Sequence, residues 1–192
     1  MVLDPQREAK DLQDKFRAAH NNGDEHGRSF EVAYKEMQHG SKILHWVWYV
    51  FPQHENCPGS TRLNDRYGLA NQEVLWFLAD PNLRKNYSKV VTELKKHLES
   101  GKTLKEIVNG DDKKVVSSLT LFEMIADELH HSDSFKDIAY SVIGTGRMDI
   151  DDFNVDMEDM TELLRSVWLS LEGYERCMYT RNALKNYDDF KR

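Results

Sequence analysis

What this chain lacks narrows it first. Cysteine occurs only at Cys57 and Cys177, far apart in sequence, so a disulfide framework is not expected and two free thiols in a reducing compartment are the simpler reading. No apolar run approaches the ~20 residues that span a bilayer, and no signal-peptide pattern opens the chain. Cations are outnumbered, with 26 Lys and Arg against 33 Asp and Glu, a formal net charge of −7 and no face-long basic stripe. Nucleic-acid binding is therefore not expected. Internal repeats, low-complexity tracts and a sustained heptad seam are missing too. These absences point to a soluble, cytoplasmic domain with no membrane or nucleic-acid partner.

Several catalytic and metal motifs are also absent. No serine sits in a Gly-x-Ser-x-Gly elbow or beside an obvious base. Gly144-Thr145-Gly146-Arg147 has no preceding strand and makes no phosphate loop. The aspartates from Asp149 to Asp159 fail calcium-loop spacing, because Phe153 and Met160 stand where oxygen ligands are needed. They read as a solvated face or a helix start. His130 and His131 are adjacent, so on a helix they point apart. No metal and no cofactor are expected.

What is present suits a single domain spanning 1–192: 192 residues, 40% hydrophobic and 31% charged, are enough for a substantial core. The most informative stretch is Lys42-Ile-Leu-His-Trp-Val-Trp-Tyr-Val-Phe-Pro-Gln53. On a helix, Ile43, Trp46, Val47 and Val50 share one face, and Leu44, Trp48 and Phe51 fill most of the other. A strand would also be apolar on both faces, so periodicity alone does not choose. No convincing partner strand exists, and a lone buried strand would leave its backbone polar groups unpaired. The spacing therefore predicts a short buried central helix over 42–51, capped by Ser41 and stopped by Pro52.

The flanking sequence reads as helices throughout. Asp4 and Pro5 start one that runs to about His20, burying Ala9, Leu12, Phe16 and Ala19. A second follows Ser29, with Phe30, Ala33, Tyr34 and Met37 inside and Gly40 as its stop. Residues 53–64 form a turn-rich loop, and Asp65 to Gly68 lead into a helix capped by Asn71. Asp80-Pro81 opens a longer helix ending at Gly101, and Thr103 with Glu106 makes a capping box for a short turn. Asp111 caps a helix whose stripe is Val115, Leu119, Phe122, Ile125, Ala126 and Leu129. A weaker helix over 134–143 closes at Gly144. Met160, Leu163, Leu164, Val167, Trp168 and Leu171 mark another helix, and after Gly173 a last one reaches about Leu184. The fold class is all-α: a multihelical single domain around an aromatic-rich centre.

Five blocks carry a family resemblance. They are Gly40-Ser41-Lys42, His45-Trp46-x-Trp48-x-x-Phe51-Pro52-Gln53, Arg66-Tyr67-Gly68-Leu69, Leu78-x-x-Pro81-x-Leu83 and Asp111-x-x-Lys114-x-x-Ser117-Ser118-x-Thr120-Leu121-Phe122. In order and separation they resemble the domain-of-unknown-function family eighteen-ten. The resemblance covers roughly residues 11–130 and implies a small, mainly α-helical protein with no established activity. Two departures stand out. The loop after Gln53 lacks the family's usual pair of glycines, and residues 131–192 form a divergent helical extension.

Candidate site residues follow from polar groups set beside aromatic ones. His45 is the one histidine inside the apolar run and aligns with Tyr49 one turn on. It reads either as a core histidine satisfied by a tyrosine or carbonyl, or as a ligand contact or general acid–base group. Lys42, Trp48 and Gln53 flank it. Trp46 and Trp48 sit on different faces, so they cannot share one stacking surface, and core packing is the simpler role for each. Ser60, Arg66 and Tyr67 bracket the following loop. Arg66 can fix a carboxylate or phosphate with its planar fork, or it can staple that loop to the domain. Lys114, Ser117, Ser118 and Thr120 either present polar groups to a ligand or allow close helix packing.

Two function classes remain open. One is a small-ligand site for an anionic or nucleotide-like compound near the central helix, an ADP-ribose-type compound being one by analogy. The alternative is a non-catalytic protein–protein interaction module. The sequence identifies no protein partner and does not decide whether the protein is an enzyme.

Overall fold

Helix α1 (Pro5–Asn22) begins where Asp4 accepts a hydrogen bond from Gln6 N at 3.1 Å, with Pro5 at the first helical position. A computed structural model of the protein describes residues 4–25, 27–58, 62–131, 136–137, 140 and 150–185. Among the described residues there are ten helices and an isolated parallel bridge between His54 and Leu69. After α1 come α2 (Phe30–His39), α3 (Val47–Val50), α4 (Arg62–Tyr67) and α5 (Asn71–Ala79). They are followed by α6 (Pro81–Glu99), α7 (Leu104–Ile107), α8 (Asp112–His131), α9 (Ile150–Leu169) and α10 (Met178–Lys185). No described helix is long and apolar enough to cross a membrane.

One apolar core runs through these helices. Its centre is a file of rings. Phe16 meets Phe77 edge-on with centroids 5.1 Å apart, Phe77 meets Phe122 at 5.4 Å, and Phe122 stacks on Tyr87 at 4.0 Å. The apolar positions expected of α1, α6 and α8 are buried as their 3.6-residue period requires. Asp80 caps α6 by accepting from Asn82 N and Leu83 N, and Arg17 of α1 pairs with the same buried carboxylate at 2.5 Å. Thr103 and Glu106 form the capping box of α7.

The central segment differs from expectation. Only Val47–Val50 is helical, Ser41 caps nothing, and Ile43 is 69% exposed. The reason is Glu36 of α2. Its Oε2 accepts hydrogen bonds from Ile43 N at 2.7 Å, Leu44 N at 3.1 Å and Trp46 Nε1 at 2.7 Å. Lys42 N donates to Ile107 O at 2.7 Å. These partners satisfy the backbone N–H groups of residues 42–44 without a helix, so the apolar-all-round pattern is no guide to the conformation there. Trp46, Val47, Tyr49, Val50 and Phe51 are buried as expected. Two smaller differences follow downstream. Residues 62–67 form their own helix, and Ala70 rather than Asn71 precedes α5, its N–H donating to Glu73 Oε2 at 2.8 Å.

The C-terminal extension is docked. α9 lies against α6 and α8, burying Phe153, Met157, Met160, Leu164 and Val167. Arg84 of α6 fixes its first turns: Nη2 and Nε reach Asp156 Oδ2 at 2.7 and 2.9 Å, Nη1 donates to Leu78 O, and the guanidinium lies over the Phe153 ring. Asp151 and Asp152 occupy the first turn of α9, where negative charge suits the helix dipole. The helix expected over 134–143 and the turn at Gly144 lie largely outside the described residues.

Candidate functional site

A cavity of about 700 Å³ opens between the segment after α3, the start of α8 and the chain entering α10. Trp48, Gln53, Cys57 and Pro58 line one side. Gly110 to Lys114, Val116 and Ser117 line the second, and Tyr174 to Tyr179 the third. The extension thus supplies a wall of the cavity.

Lys114 lies on this wall because α8 starts beside Lys42. Asp111 takes Lys42 Nζ at 2.7 Å on one carboxylate oxygen and Lys114 on the other. Burial works against ionisation of Asp111, but the bonds and charges of Lys114 and Lys42 outweigh it and hold its carboxyl below the usual range. Lys114 also sits over the Trp48 ring, its Nζ 4.6 Å from the centroid. Across the cavity Tyr174 Oη donates to Asp112 Oδ2 at 3.1 Å. Arg176 makes a bidentate pair with Glu123, both contacts 2.6 Å, and stacks on Trp168.

A second cluster sits deeper. Cys57 Sγ is 2.9 Å from Ser117 Oγ and 3.6 Å from Thr180 Oγ1, and those hydroxyls are 3.1 Å apart. Cys177 precedes α10, its carbonyl accepting Arg181 N, and its own N–H donates to Thr120 Oγ1 at 2.9 Å. Both thiols line the cavity, and both are free. Interaction with Cys177 and burial hold the Cys57 thiol above its ordinary range. Interaction with Cys57, and then with Thr180 and Ser117, holds the Cys177 thiol well below its range. His54 lies close enough to Cys177 to interact with it electrostatically. Its Nε2 donates to Asn71 Oδ1 and its Nδ1 accepts from Asn56 N, and burial pushes its pKa down.

Of the residues singled out in the sequence, Trp48, Gln53, Lys114 and Ser117 meet on this cavity, and Lys42 lies behind it through Asp111. Ser118 and Thr120 face elsewhere. Ser118 Oγ is 3.2 Å from Tyr87 Oη, and Thr120 Oγ1 donates to Val116 O at 2.7 Å. Arg66 and Tyr67 lie away from this cavity. Arg66 pairs with Asp24 at 2.8 Å and lies over the Tyr67 ring, so it ties down the 23–28 loop rather than the loop after Gln53. Tyr67 is buried in the core. His45 is exposed and is not the buried histidine that an all-helical 42–51 implied. That place belongs to His20, whose Nε2 donates to Tyr49 O at 2.8 Å while Nδ1 accepts from Asn86 Nδ2. Burial lowers its pKa to about 4. Ser60 lies outside the described residues. Among the described residues no three His, Cys, Asp or Glu side chains are grouped to hold a metal ion.

A family model described as a protein of unknown function, DUF1810, matches residues 10–144. The chain belongs to the DUF1810 family. The match takes in α1 to α8 and leaves out α9, α10 and the third wall of the cavity. Among solved structures, the chain is similar to the conserved hypothetical protein Rv1873 from Mycobacterium tuberculosis, at 27% identity and a TM-score of 0.51. That likeness covers 71% of this chain and 90% of the other. No curated protein matches the chain.

Proposed function

We propose that this DUF1810 protein binds a small, nucleotide-like ligand in the cavity between Trp48, α8 and Tyr174. The carrying observation is that Trp48, Gln53, Lys114 and Ser117, which the sequence scatters over two regions, converge on one concavity of about 700 Å³. That size lies within the ~300–1,000 Å³ range of small-molecule sites. The rings of Trp48, Tyr174 and Tyr179 offer flat faces to a heterocycle, and the Gln53 amide can both donate to and accept from its edge.

The charge balance refines the ligand class. Three cations on the wall, Lys113, Lys114 and Arg176, face three carboxylates, Asp111, Asp112 and Glu175. Such a wall suits a ligand with one anionic group and disfavours a polyphosphate. A single phosphate or carboxylate can draw Lys114 away from Asp111, because Lys42 still compensates that carboxylate. The second reading, a non-catalytic interaction module, draws on Met178 and Tyr179, exposed at the cavity rim.

A thermal-shift screen of nucleosides, nucleoside monophosphates, sugar phosphates and ADP-ribose compounds separates the two. A ligand at a hundred times its Kd adds about 2.7 kcal/mol to the folded state. The expected result is stabilisation of the parent and of Arg66→Lys, but not of folded Trp48→Ala or Lys114→Gln. Absence of stabilisation by every compound at millimolar concentration would favour the interaction module.

A further inference from the structure

Buried cysteines usually behave as small inert hydrophobes. Cys57 and Cys177 depart from that pattern in three ways. The fold brings them from distant parts of the chain to the wall of one open cavity. They sit among hydroxyls rather than among apolar side chains: Ser117 and Thr180 flank Cys57, and Thr120 holds the Cys177 backbone. They are also unequal. Cys57 is 6% exposed and packed against the Ser117 and Thr180 hydroxyls, whereas Cys177 is half-buried and reaches the cavity from the turn before α10.

The position of Cys177 adds to this inequality. It stands immediately before α10, the position where Ser, Thr, Asp or Asn ordinarily accepts a backbone N–H of the first turn, and its carbonyl accepts Arg181 N. An ionised sulfur suits that position better than a neutral thiol. The adjacent Arg176 is paired with Glu123.

We propose that Cys57 and Cys177 form a reactive dithiol on the cavity wall, with Cys177 the attacking sulfur and Cys57 the one that resolves it into a disulfide. The oxidant is a hydroperoxide entering by the cavity. Cys177 sulfur attacks the distal oxygen of the O–O bond. That bond breaks, the alcohol or water leaves with a proton from solvent, and Cys177 becomes a sulfenic acid. Cys57 sulfur then attacks the Cys177 sulfur. The S–O bond breaks, and the hydroxide leaves as water with the Cys57 proton. Two thiols are oxidised by two electrons, one peroxide is reduced, and an external dithiol reverses the change by exchange. The cross-link joins the loop after Gln53 to the start of α10, so it ties the family-matched part of the chain to the extension. It needs only the two thiols and a peroxide, and therefore stands apart from ligand binding.

The test uses the full chain and hydrogen peroxide as the probe. One equivalent should consume both free thiols, lower the intact mass by two hydrogen atoms, create no intermolecular disulfide and yield a Cys57–Cys177 linked peptide. In Cys57→Ser the reaction should stop at a sulfenic acid on Cys177 that dimedone traps, while Cys57 in Cys177→Ser should stay reduced. The parent offers a measurement that needs no variant. Alkylation of Cys177 by iodoacetamide should slow less than about twofold between pH 8 and pH 6, where an ordinary thiol slows roughly 80-fold. The proposal is overturned if both thiols persist in peroxide, if only intermolecular disulfides form, or if Cys177 alkylation follows the ordinary thiol profile.

Discussion

Replacing Glu36 with Ala should cost about 3 kcal/mol, a large share of the ~5–15 kcal/mol that holds a domain of this kind together. The magnitude follows from the three donors that one carboxylate oxygen accepts. Trp46 is fully buried, so without Glu36 its Nε1–H would have no partner, which costs about 1–3 kcal/mol. Ile43 is largely exposed, so its N–H can turn to water and only the net worth of a charge-assisted bond is lost, about 1 kcal/mol. Leu44 is intermediate between them. Urea denaturation followed by far-UV circular dichroism measures the loss directly. A double-mutant cycle isolates the buried part: Trp46→Phe removes the N–H donor and keeps a ring in the core. Glu36→Ala should then be about 1–2 kcal/mol milder on the Trp46→Phe background than on the parent. A single-variant cost under about 1 kcal/mol, or a coupling indistinguishable from zero, would show that Glu36 does not organise the 42–46 segment.

Stability should fall on acidification because of His20. Its pKa is about 4 in the folded protein against 6.5 for the free side chain, so below pH 6.5 the unfolded chain takes up a proton that the folded chain refuses. The difference corresponds to about 3 kcal/mol, fully present above pH 6.5 and lost progressively down to pH 4. An NMR titration in which the His20 ring shifts with a midpoint near 6.5 would contradict this. Gly27→Ala should cost about 1–3 kcal/mol, since a Cβ there would lie 2.2 Å from Tyr49 Oη and 2.6 Å from His45 O. The clash displaces a hydroxyl that donates to Arg28 O and accepts from Arg28 N; an unchanged melting temperature would show that the site is not closed. Truncation after residue 149 should uncover the apolar faces of α6 and α8 that α9 covers, and the shortened chain should aggregate. A monodisperse truncation with the parent's melting behaviour would make α9 and α10 a separate appendage.

The amino-acid sequence alone determined the helical class and most of its punctuation. Asp4-Pro5, Gly40, Asp80-Pro81 and the Thr103–Glu106 pair act within a few residues of themselves, so their signals need no knowledge of distant chain. The stripes of α1, α6 and α8 are long enough for their period to be unambiguous. The family blocks were legible for the same reason, and the matched region reaches from residue 10 to 144. Trp48, Gln53, Lys114 and Ser117 were recognisable as polar and aromatic groups flanking buried stretches, and the fold brings them to one cavity.

Everything that depended on a partner far along the chain was decided by tertiary structure. Residues 42–46 leave the helix because Glu36 and Ile107 supply hydrogen-bond partners that no local period encodes. His20 rather than His45 takes the buried place, since which histidine is buried depends on how α1 lies against α3, and the partner of Arg66 is Asp24, 42 residues away. Cys57 and Cys177 looked unrelated by spacing. They meet only because α9 docks on α6 and α8 and carries α10 back over the start of α8. Local propensity acts over a few residues, whereas a cavity wall built from three separated segments exists only once the core has packed.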